Sequence, residues 1–423
     1  MQADSREPQK IREAIVLAGG LGTRLREAVP DLPKCMAPVA GRPFLYYVIR
    51  SLRLQGIERI VFSLGYKHEV IERWLHDEFA SLEYDCVVEA EPLGTGGAIV
   101  LAAQHAVSDN VLIVNGDTLF EIDLSELLSF HLAGSWQCSL ALKPMKDFDR
   151  YGVVRTDEKG AVLSFEEKSW VETGNINGGV YLLNREWLLA QQLPLKFSFE
   201  TDLLEKNAGA GTLGAIVQNS YFIDIGIPAD FNKADKDLNH PVLQLSDIGK
   251  GWTLFLDRDG VINEDKPGSY IFSPEEFHFM PGAPAIFAEL ANRFSTILVV
   301  TNQRGVGKQL MTEETLQVIH HQMKEAILAA GGRIDAIYYA SSLSNKDPLR
   351  KPNPGMALCA RRDFPTIDFS KSIMIGNNIS DMQFGRNAGM YTVFLTTTNP
   401  HISLPHPDID LIFPDLEHFV KAL

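Results

Sequence analysis

Residues 14–25 read AIVLAGGLGTRL. An apolar run with β-branched Ile15 and Val16 reads as a buried strand, and it stops at Gly19, Gly20 and Gly22 before Thr23 and Arg24. Glycines let backbone N–H groups approach phosphate oxygens closely, and Arg24 adds a fixed charge suited to a triphosphate or a pyrophosphate leaving group. A simple tight turn is the plain alternative. The loop is neither a Walker A motif, since no GK[ST] follows, nor a full dinucleotide fingerprint. Downstream, PFLYYVIRSLRLQGI, RIVFSLG, HEVIERWLHDEF and YDCVVEA alternate helix-length amphipathic segments with short apolar runs. This rhythm predicts a mostly parallel sheet with helices on both faces, which VLIVNGD, CSLALKP and GGVYLLN extend.

A second strand series begins after residue 250 with WTLFLDRDG, STILVVTNQ, AIYYASS, SIMIGNN and YTVFLTT. The expected fold class is therefore α/β, with two doubly wound, mostly parallel-sheet domains. The polar segment around Pro241 and Gly249 marks the boundary, giving domains at 11–238 and 251–423 joined by a linker at 239–250.

At 423 residues the chain is too long for one ordinary core, and its 45% hydrophobic and 22% charged residues are those of globular protein. A formal charge of −15 argues against nucleic acid as a partner, though nucleotides need only local donors. Cys35, Cys86, Cys138 and Cys359 are far apart and form no CxxC pair, which fits a reducing compartment. The charged N-terminus has no apolar h-region and no segment resembles a membrane span, so a cytoplasmic location is expected. Oligomeric state is left open.

Lys34 follows the glycine loop in DLPKCMAPV, Asp117 ends the strand of VNGD, and Asp224 stands in FIDIG. Two carboxylates from separate strand ends can hold one Mg²⁺ against nucleotide phosphates, with Lys34 and Arg24 neutralising the rest. Either aspartate alone reads equally as a solvated turn. Glu91, before the PLGTGG turn, can accept from guanine N1–H and its exocyclic amine; it can as well accept from uracil or thymine N3–H, or face solvent.

From about 13 to 235 the chain resembles the sugar-1-phosphate nucleotidylyltransferases through GGLGTRL, LPKCMAPVAGRPFL, EPLGTGGA, NGD, FEEK, NGGVY and DIGIPAD, in that order. The likeness is greatest to the branch of guanylyltransferases acting on D-glycero-α-D-manno-heptose 1-phosphate, and GTP is expected on that ground. The resemblance implies a Rossmann-like fold and transfer of a nucleoside monophosphate to a sugar 1-phosphate. It further implies that Leu17, Gly19, Gly20, Gly22, Thr23, Glu91, Gly94, Thr95 and Gly96 bind the nucleotide, with Gly94 to Gly97 closing over the base. Arg24 and Lys34 act on the reacting phosphates, Asp117 and Asp224 hold Mg²⁺, and Glu166, Lys168, Asn177 and Gly178 hold the sugar phosphate.

In the second half, FLDRDGVIN places Asp257 and Asp259 two apart at a strand end, on the same side. One carboxylate can attack phosphorus while the other, kept protonated, donates to the leaving oxygen. Thr301 and Asn302 end the next strand, and LRKPNPG supplies Arg350 and Lys351. Over about 250–398 this half resembles the haloacid dehalogenase-like phosphatases, in the branch of histidinol phosphatase and D-glycero-D-manno-heptose 1,7-bisphosphate phosphatase. The resemblance implies Asp257 as nucleophile, Asp259 as general acid and base, Thr301, Asn302 and Lys351 on phosphate, and Arg350 on substrate.

Two departures stand out. The loop YYASSLSNKDPL has no Cys or His where the family often carries a zinc cluster, so no zinc is expected. The family's last motif usually begins Gly-Asp, with that Asp on Mg²⁺, whereas here it is Gly376-Asn377, with Asn378 where a Lys is common. An Asn oxygen can still ligate Mg²⁺ with lower affinity, and the expected set is Asp257, Asp259 through its backbone, Asn377 and Asp381. His320 and His321 read as surface residues of a helix. The combined expectation is a bifunctional enzyme of GDP-heptose synthesis with Mg²⁺ in both halves. The alternative is a transferase for mannose or glucose 1-phosphate carrying a degenerate, phosphosugar-binding or regulatory phosphatase-like half.

Overall fold

Ile15 and Val16 are neighbours on one strand, and both are fully buried, yet they belong to different apolar clusters. Side chains alternate across a strand, so this sheet is covered on both faces. The computed structural model describes residues 10–20, 29, 31–239, 242–266 and 268–423. Gly22, Thr23 and Arg24 lie outside the described residues. The chain divides into two units, Met1–His240 and Pro241–Leu423.

The main sheet of the first unit has seven strands: β1 (Glu13–Leu17), β2 (Arg59–Leu64), β3 (Glu83–Val88), β4 (Asn110–Asn115), β5 (Cys138–Phe148), β6 (Val171–Asn184) and β7 (Leu213–Val217). Their spatial order is β7-β5-β6-β4-β1-β2-β3. All neighbours run parallel except β6, which is antiparallel to both β4 and β5, so the sheet is mixed. On one face the helix Phe44–Leu54 buries Phe44, Leu45, Val48, Ile49 and Leu52 against Val16, Ile60 and Phe62. Each such side chain contributes roughly 2 kcal/mol of transfer free energy. The helix Gly94–Ala103 covers the other face with Ile99, Ala102 and Ala103.

Two local features position the site. The short strands Thr118–Phe120 and Phe222–Asp224 pair antiparallel, with Asp224 opposite Thr118. Strand β6 shifts register against β5 between Asn177 and Tyr181, the kind of bulge that re-aims side chains beside a site.

The second unit is a six-stranded, wholly parallel sheet: β8 (Thr253–Leu256), β9 (Thr296–Asn302), β10 (Ala336–Ala340), β11 (Ser372–Gly376), β12 (Tyr391–Leu395) and β13 (Leu411–Phe413). The order is β10-β9-β8-β11-β12-β13, which puts β8 at the centre and the ends of β9 and β11 on either side of it. Leu254, Leu256, Val299, Ile375 and Val393 pack on one face, and Phe255, Leu298, Val300 and Met374 are buried as well. In open parallel sheets, ligands bind beyond the carboxyl ends of the strands. Asp257 leaves β8 at that edge. Among the described residues no helix is long and apolar enough to cross a membrane.

Candidate active sites

In the first unit the ribbon of Thr118–Phe120 and Phe222–Asp224 brings together two aspartates that are remote in sequence. Lys34 lies between them, donating to Asp117 Oδ2 at 2.5 Å and to Asp224 Oδ1 at 3.2 Å. Burial works to lower the Lys34 pKa, but the two carboxylates outweigh it and hold the ammonium above its ordinary value. Asp224 also accepts from Gly226 N–H at 2.8 Å and lies 3.5 Å from the Tyr151 hydroxyl. Burial first, then the Asp224 charge, push the Tyr151 phenol up to about 12, so it remains a neutral donor. The neighbouring Arg150 pairs with Asp230. Neither Arg150 nor Tyr151 belongs to a recognisable motif.

Leu17 closes β1, and its carbonyl accepts from Gly116 N–H at 2.8 Å, which ties the glycine loop to the strand end bearing Asp117. A methyl group at Gly19 would come within 3.0 Å of the Glu89 carboxylate, so Glu89 stands against that loop. The other Glu89 oxygen accepts from Leu93 N–H at 2.8 Å and fixes the following turn. Glu91 is exposed on that turn. The glycines after it serve packing: Gly96 N–H donates to the Phe197 carbonyl at 3.0 Å, and a Cβ at Gly96 would meet the Phe197 ring. Thr95 Oγ1 accepts from Phe199 N–H at 2.9 Å. Gly94, Gly96 and Thr95 are thus built against the 195–199 segment.

The four residues assigned to sugar phosphate fall into two groups. Asn177, at the register shift, donates to the Tyr181 hydroxyl at 2.9 Å and accepts from Gly179 N–H at 3.1 Å, with Gly178 packed on Phe120. Glu166 is exposed and takes two hydrogen bonds from Arg155, at 2.7 and 3.0 Å. Lys168 is exposed near it.

In the second unit Asp257, Asp259, Thr301, Asn302, Lys351 and Asp381 line one pocket of about 160 Å³. Lys351 is buried, and its ammonium donates to Asp257 at 2.8 Å, Asp381 at 2.7 Å and the Val300 carbonyl at 2.9 Å. Burial, and then the Asp381 charge, raise Asp257 well above the usual carboxylate range against the pull of Lys351. Asp259 goes the other way. Burial would raise it, but Arg258, Asn263 and Gln303 all donate to it and hold its pKa below the ordinary value. The two acids have opposite environments: the donors around Asp259 favour its carboxylate form, whereas burial and the Asp381 charge disfavour that of Asp257.

Asn302 grips the Lys351 backbone from both sides, accepting from its N–H at 3.0 Å and donating to its carbonyl at 3.2 Å. Its amide therefore positions the lysine. Thr301 Oγ1 accepts from Gln303 at 2.9 Å, and Arg350 donates to Asn345 at 3.3 Å. His320, expected at the surface, is buried and faces Arg258; His321 is exposed.

Among the described residues no group of three or more His, Cys, Asp or Glu is arranged to hold a metal ion. Mg²⁺ is commonly bound by one or two carboxylates completed by phosphate oxygens and water, and both sites offer such a pair of hard oxygen donors. In the second unit the Asn377 Nδ2 donates to Thr398 at 2.6 Å, while its buried Oδ1 has no hydrogen-bond partner among the described residues. That orphaned oxygen is chemically suited to a hard cation.

Residues 13–240 match the family described as nucleotidyl transferase. The chain belongs to this family. Its second unit carries, over 348–418, a match to the HAD-like hydrolases. This nucleotidyl transferase is 47% identical over 228 residues to a D-glycero-alpha-D-manno-heptose 1-phosphate guanylyltransferase of Aneurinibacillus thermoaerophilus, covering 54% of this chain and 99% of the relative. A crystal structure of HddC from Yersinia pseudotuberculosis complexed with GMP-PN is 37% identical, covers 54% of this chain and all of its own, and has a TM-score of 0.50. A D,D-heptose 1,7-bisphosphate phosphatase from B. bronchiseptica, solved with magnesium and phosphate, is 29% identical over 40% of this chain and 96% of its own, with a TM-score of 0.37.

Glu89, Tyr151, Arg258, Gln303 and His320 were not assigned to either site from the sequence. Arg258, Gln303 and Glu89 carried a signal, as neighbours of DxD, of the Thr-Asn strand end and of the EPLGTGG motif. The others reach their sites through tertiary packing.

Proposed function

We propose that the first unit transfers GMP from GTP to a heptose 1-phosphate, and that the second removes the 7-phosphate from a heptose 1,7-bisphosphate. The functional domains are then 11–238 and 251–423, with 239–250 as linker. The observation that carries the first half is the Lys34 ammonium held between Asp117 and Asp224 at the edge of the glycine loop's sheet. The near full-length likeness to a heptose 1-phosphate guanylyltransferase supports the substrate pair.

In the transferase step a phosphate oxygen of the sugar attacks the α-phosphorus, the bond to the β-phosphate oxygen breaks, and pyrophosphate leaves. Catalysis of this kind is positioning and charge neutralisation, with no side-chain nucleophile. Lys34 neutralises the reacting phosphates, Tyr151 donates to Asp224, and Asn177 and Gly178 shape the sugar-phosphate side at the bulge in β6. Arg24, Gly22 and Thr23 complete the triphosphate contacts in this reading. Mg²⁺, held by Asp117 and Asp224, would supply further positive charge to the triphosphate.

In the phosphatase step Asp257 attacks phosphorus, and a phosphoaspartate forms as the sugar oxygen leaves. Asp259, whose donors favour its carboxylate form, would take a proton from the water that hydrolyses this acyl phosphate. Protonation of the sugar oxygen requires that proton to be back on Asp259 at the start of the next turnover. Asp257, Asp381, Asn377 and the Asp259 backbone would hold Mg²⁺, whose charge offsets that of the transferred phosphate. The product of this half is the substrate of the other, and both reactions suit a reducing, cytoplasmic compartment.

One observation favours a second reading of the phosphatase half. By the family resemblance Asn377 stands where a charged ligand is usual, and its amide N–H donates to Thr398. In that reading the pocket binds a phosphosugar without hydrolysing it. A panel of sugar 1-phosphates and nucleoside triphosphates, followed by pyrophosphate release, tests the first half. Phosphate release from heptose 1,7-bisphosphate tests the second: wild type no faster than Asp257→Asn would sink the phosphatase reading.

A further inference from the structure

Arg258 is fully buried, lies between the two acids of the DxD loop, and is the largest side chain so enclosed among the described residues. Its Nη2 donates to both oxygens of Asp259, at 2.8 and 3.0 Å, and its Nε to one of them at 3.2 Å. The remaining arm of the fork, Nη1, is turned away from Asp259 and lies 3.2 Å from Nε2 of His320. A guanidinium has only donors, so His320 must present Nε2 as an acceptor, which puts the ring proton on Nδ1. Among the described residues that Nδ1 has no partner, so no hydrogen bond of its own selects the tautomer. Only Arg258 does. Burial, then the Arg258 charge, push the imidazole pKa down to about 3, in keeping with a neutral acceptor.

We propose that His320 is a positioning residue of the phosphatase site: by accepting from Arg258 it fixes the guanidinium plane, and through it the orientation of the Asp259 carboxylate. The inference rests on the phosphatase reading given above. The physical reason is the planarity of the fork. Rotation of the guanidinium to satisfy an orphaned Nη1 would misalign the arm that holds Asp259, and an unsatisfied buried donor costs about 1–3 kcal/mol. His320 is packed in place: it stands on the helix Glu313–Ala329 among the buried residues Leu316, Ile319 and Met323, with its ring centroid 5.9 Å from that of Tyr339. The Arg258 side chain does not bond Asp257, which takes only the Arg258 backbone N–H at 2.8 Å, so substrate affinity should be preserved while turnover falls.

The test uses full-length protein and steady-state phosphate release from heptose 1,7-bisphosphate. For His320→Leu we expect kcat to drop roughly 10- to 100-fold, the range for groups that orient a functional residue, with KM unchanged within about twofold. His320→Gln, whose Oε1 can accept from Arg258, should recover most of the loss. In an Arg258→Lys background the Leu substitution should add little, because a lysine has no fork to orient. Wild-type release that His320→Leu leaves unchanged overturns the positioning role alone. Equal damage from Leu and Gln, in proportion to lost folded protein, overturns it in favour of packing. No release from wild type overturns the phosphatase reading and the positioning role with it. Ring-nitrogen NMR of His320 in the wild-type chain gives a readout independent of turnover: a proton on Nδ1 is expected, and a proton on Nε2 overturns the geometry whether or not phosphate is released.

Discussion

Each unit holds a lysine between two aspartates remote in sequence, Asp381 coming from the first turn of the helix Ile379–Ala388, yet the two triads stand in different surroundings. In the first, the Lys34 side chain keeps 14% of its exposure and Asp117 and Asp224 keep 33% and 23%. In the second, Lys351 and Asp381 keep 1% and Asp257 keeps 12%. The same three charges can therefore be a solvent-accessible arrangement ready to meet a polyphosphate, or a closed cluster on which local folding depends. Water makes the difference, because it screens the open triad and leaves the closed one to balance its own charges.

The largest expected effect lies on the open side. Lys34→Met should lower pyrophosphate release at least about 100-fold while shifting stability by less than about 1 kcal/mol, since the pair is partly solvated. Loss of folding on that scale of activity would erase the contrast between the triads. On the closed side, Lys351→Met strands two buried carboxylates and should destabilise the second unit by about 3–5 kcal/mol in denaturant unfolding. A change under about 1 kcal/mol would show that Asp257 and Asp381 are not a closed cluster in solution.

A buried histidine gives a third comparison. His131 bonds Ser139 at 2.8 Å and Asn110 at 3.3 Å, and burial pushes its pKa from 6.5 down to about 4. The unfolded chain therefore binds a proton below pH 6.5 that the native state refuses until near pH 4. Stability should be full above pH 6.5 and fall by about 2 kcal/mol on going to pH 5. His131→Gln should flatten that slope in a pH series of unfolding curves, and an unchanged slope would place the proton uptake elsewhere. The smallest effect concerns Asn377. Asn377→Asp restores a charge beside the closed triad and should tighten Mg²⁺ binding, measured by calorimetry, roughly tenfold. No change would mean that this position is not a ligand.

How far these sites were legible depends on how local their signals are. The glycine loop after β1 and the DxD after β8 read directly, because a strand is a short apolar run and its end is marked by the residues that cannot continue it. Lys34, Asp117 and Asp224 were legible as residue types and family positions, but their meeting depends on the pairing of Thr118–Phe120 with Phe222–Asp224. His320 was misread as a surface residue because one polar residue on an amphipathic helix resembles its neighbour His321, and only packing tells the buried face from the wet one. Glu91 drew attention through its motif. The carboxylate that stands against the glycine loop belongs to Glu89, which directly follows the strand Glu83–Val88 two residues before that motif.

The amino-acid sequence by itself determined the two α/β units, the strand ends that carry the chemistry, and the residue types available there, since apolar periodicity and glycine punctuation act over a few residues. Tertiary structure alone decided the antiparallel insertion of β6, the burial of the Lys351 cluster and the opposite surroundings of the DxD pair. A carboxyl group keeps or loses its proton according to the donors within hydrogen-bond reach and the water it has left. For Asp259 those donors come from Arg258, Asn263 and Gln303, which only the folded chain brings around one carboxylate.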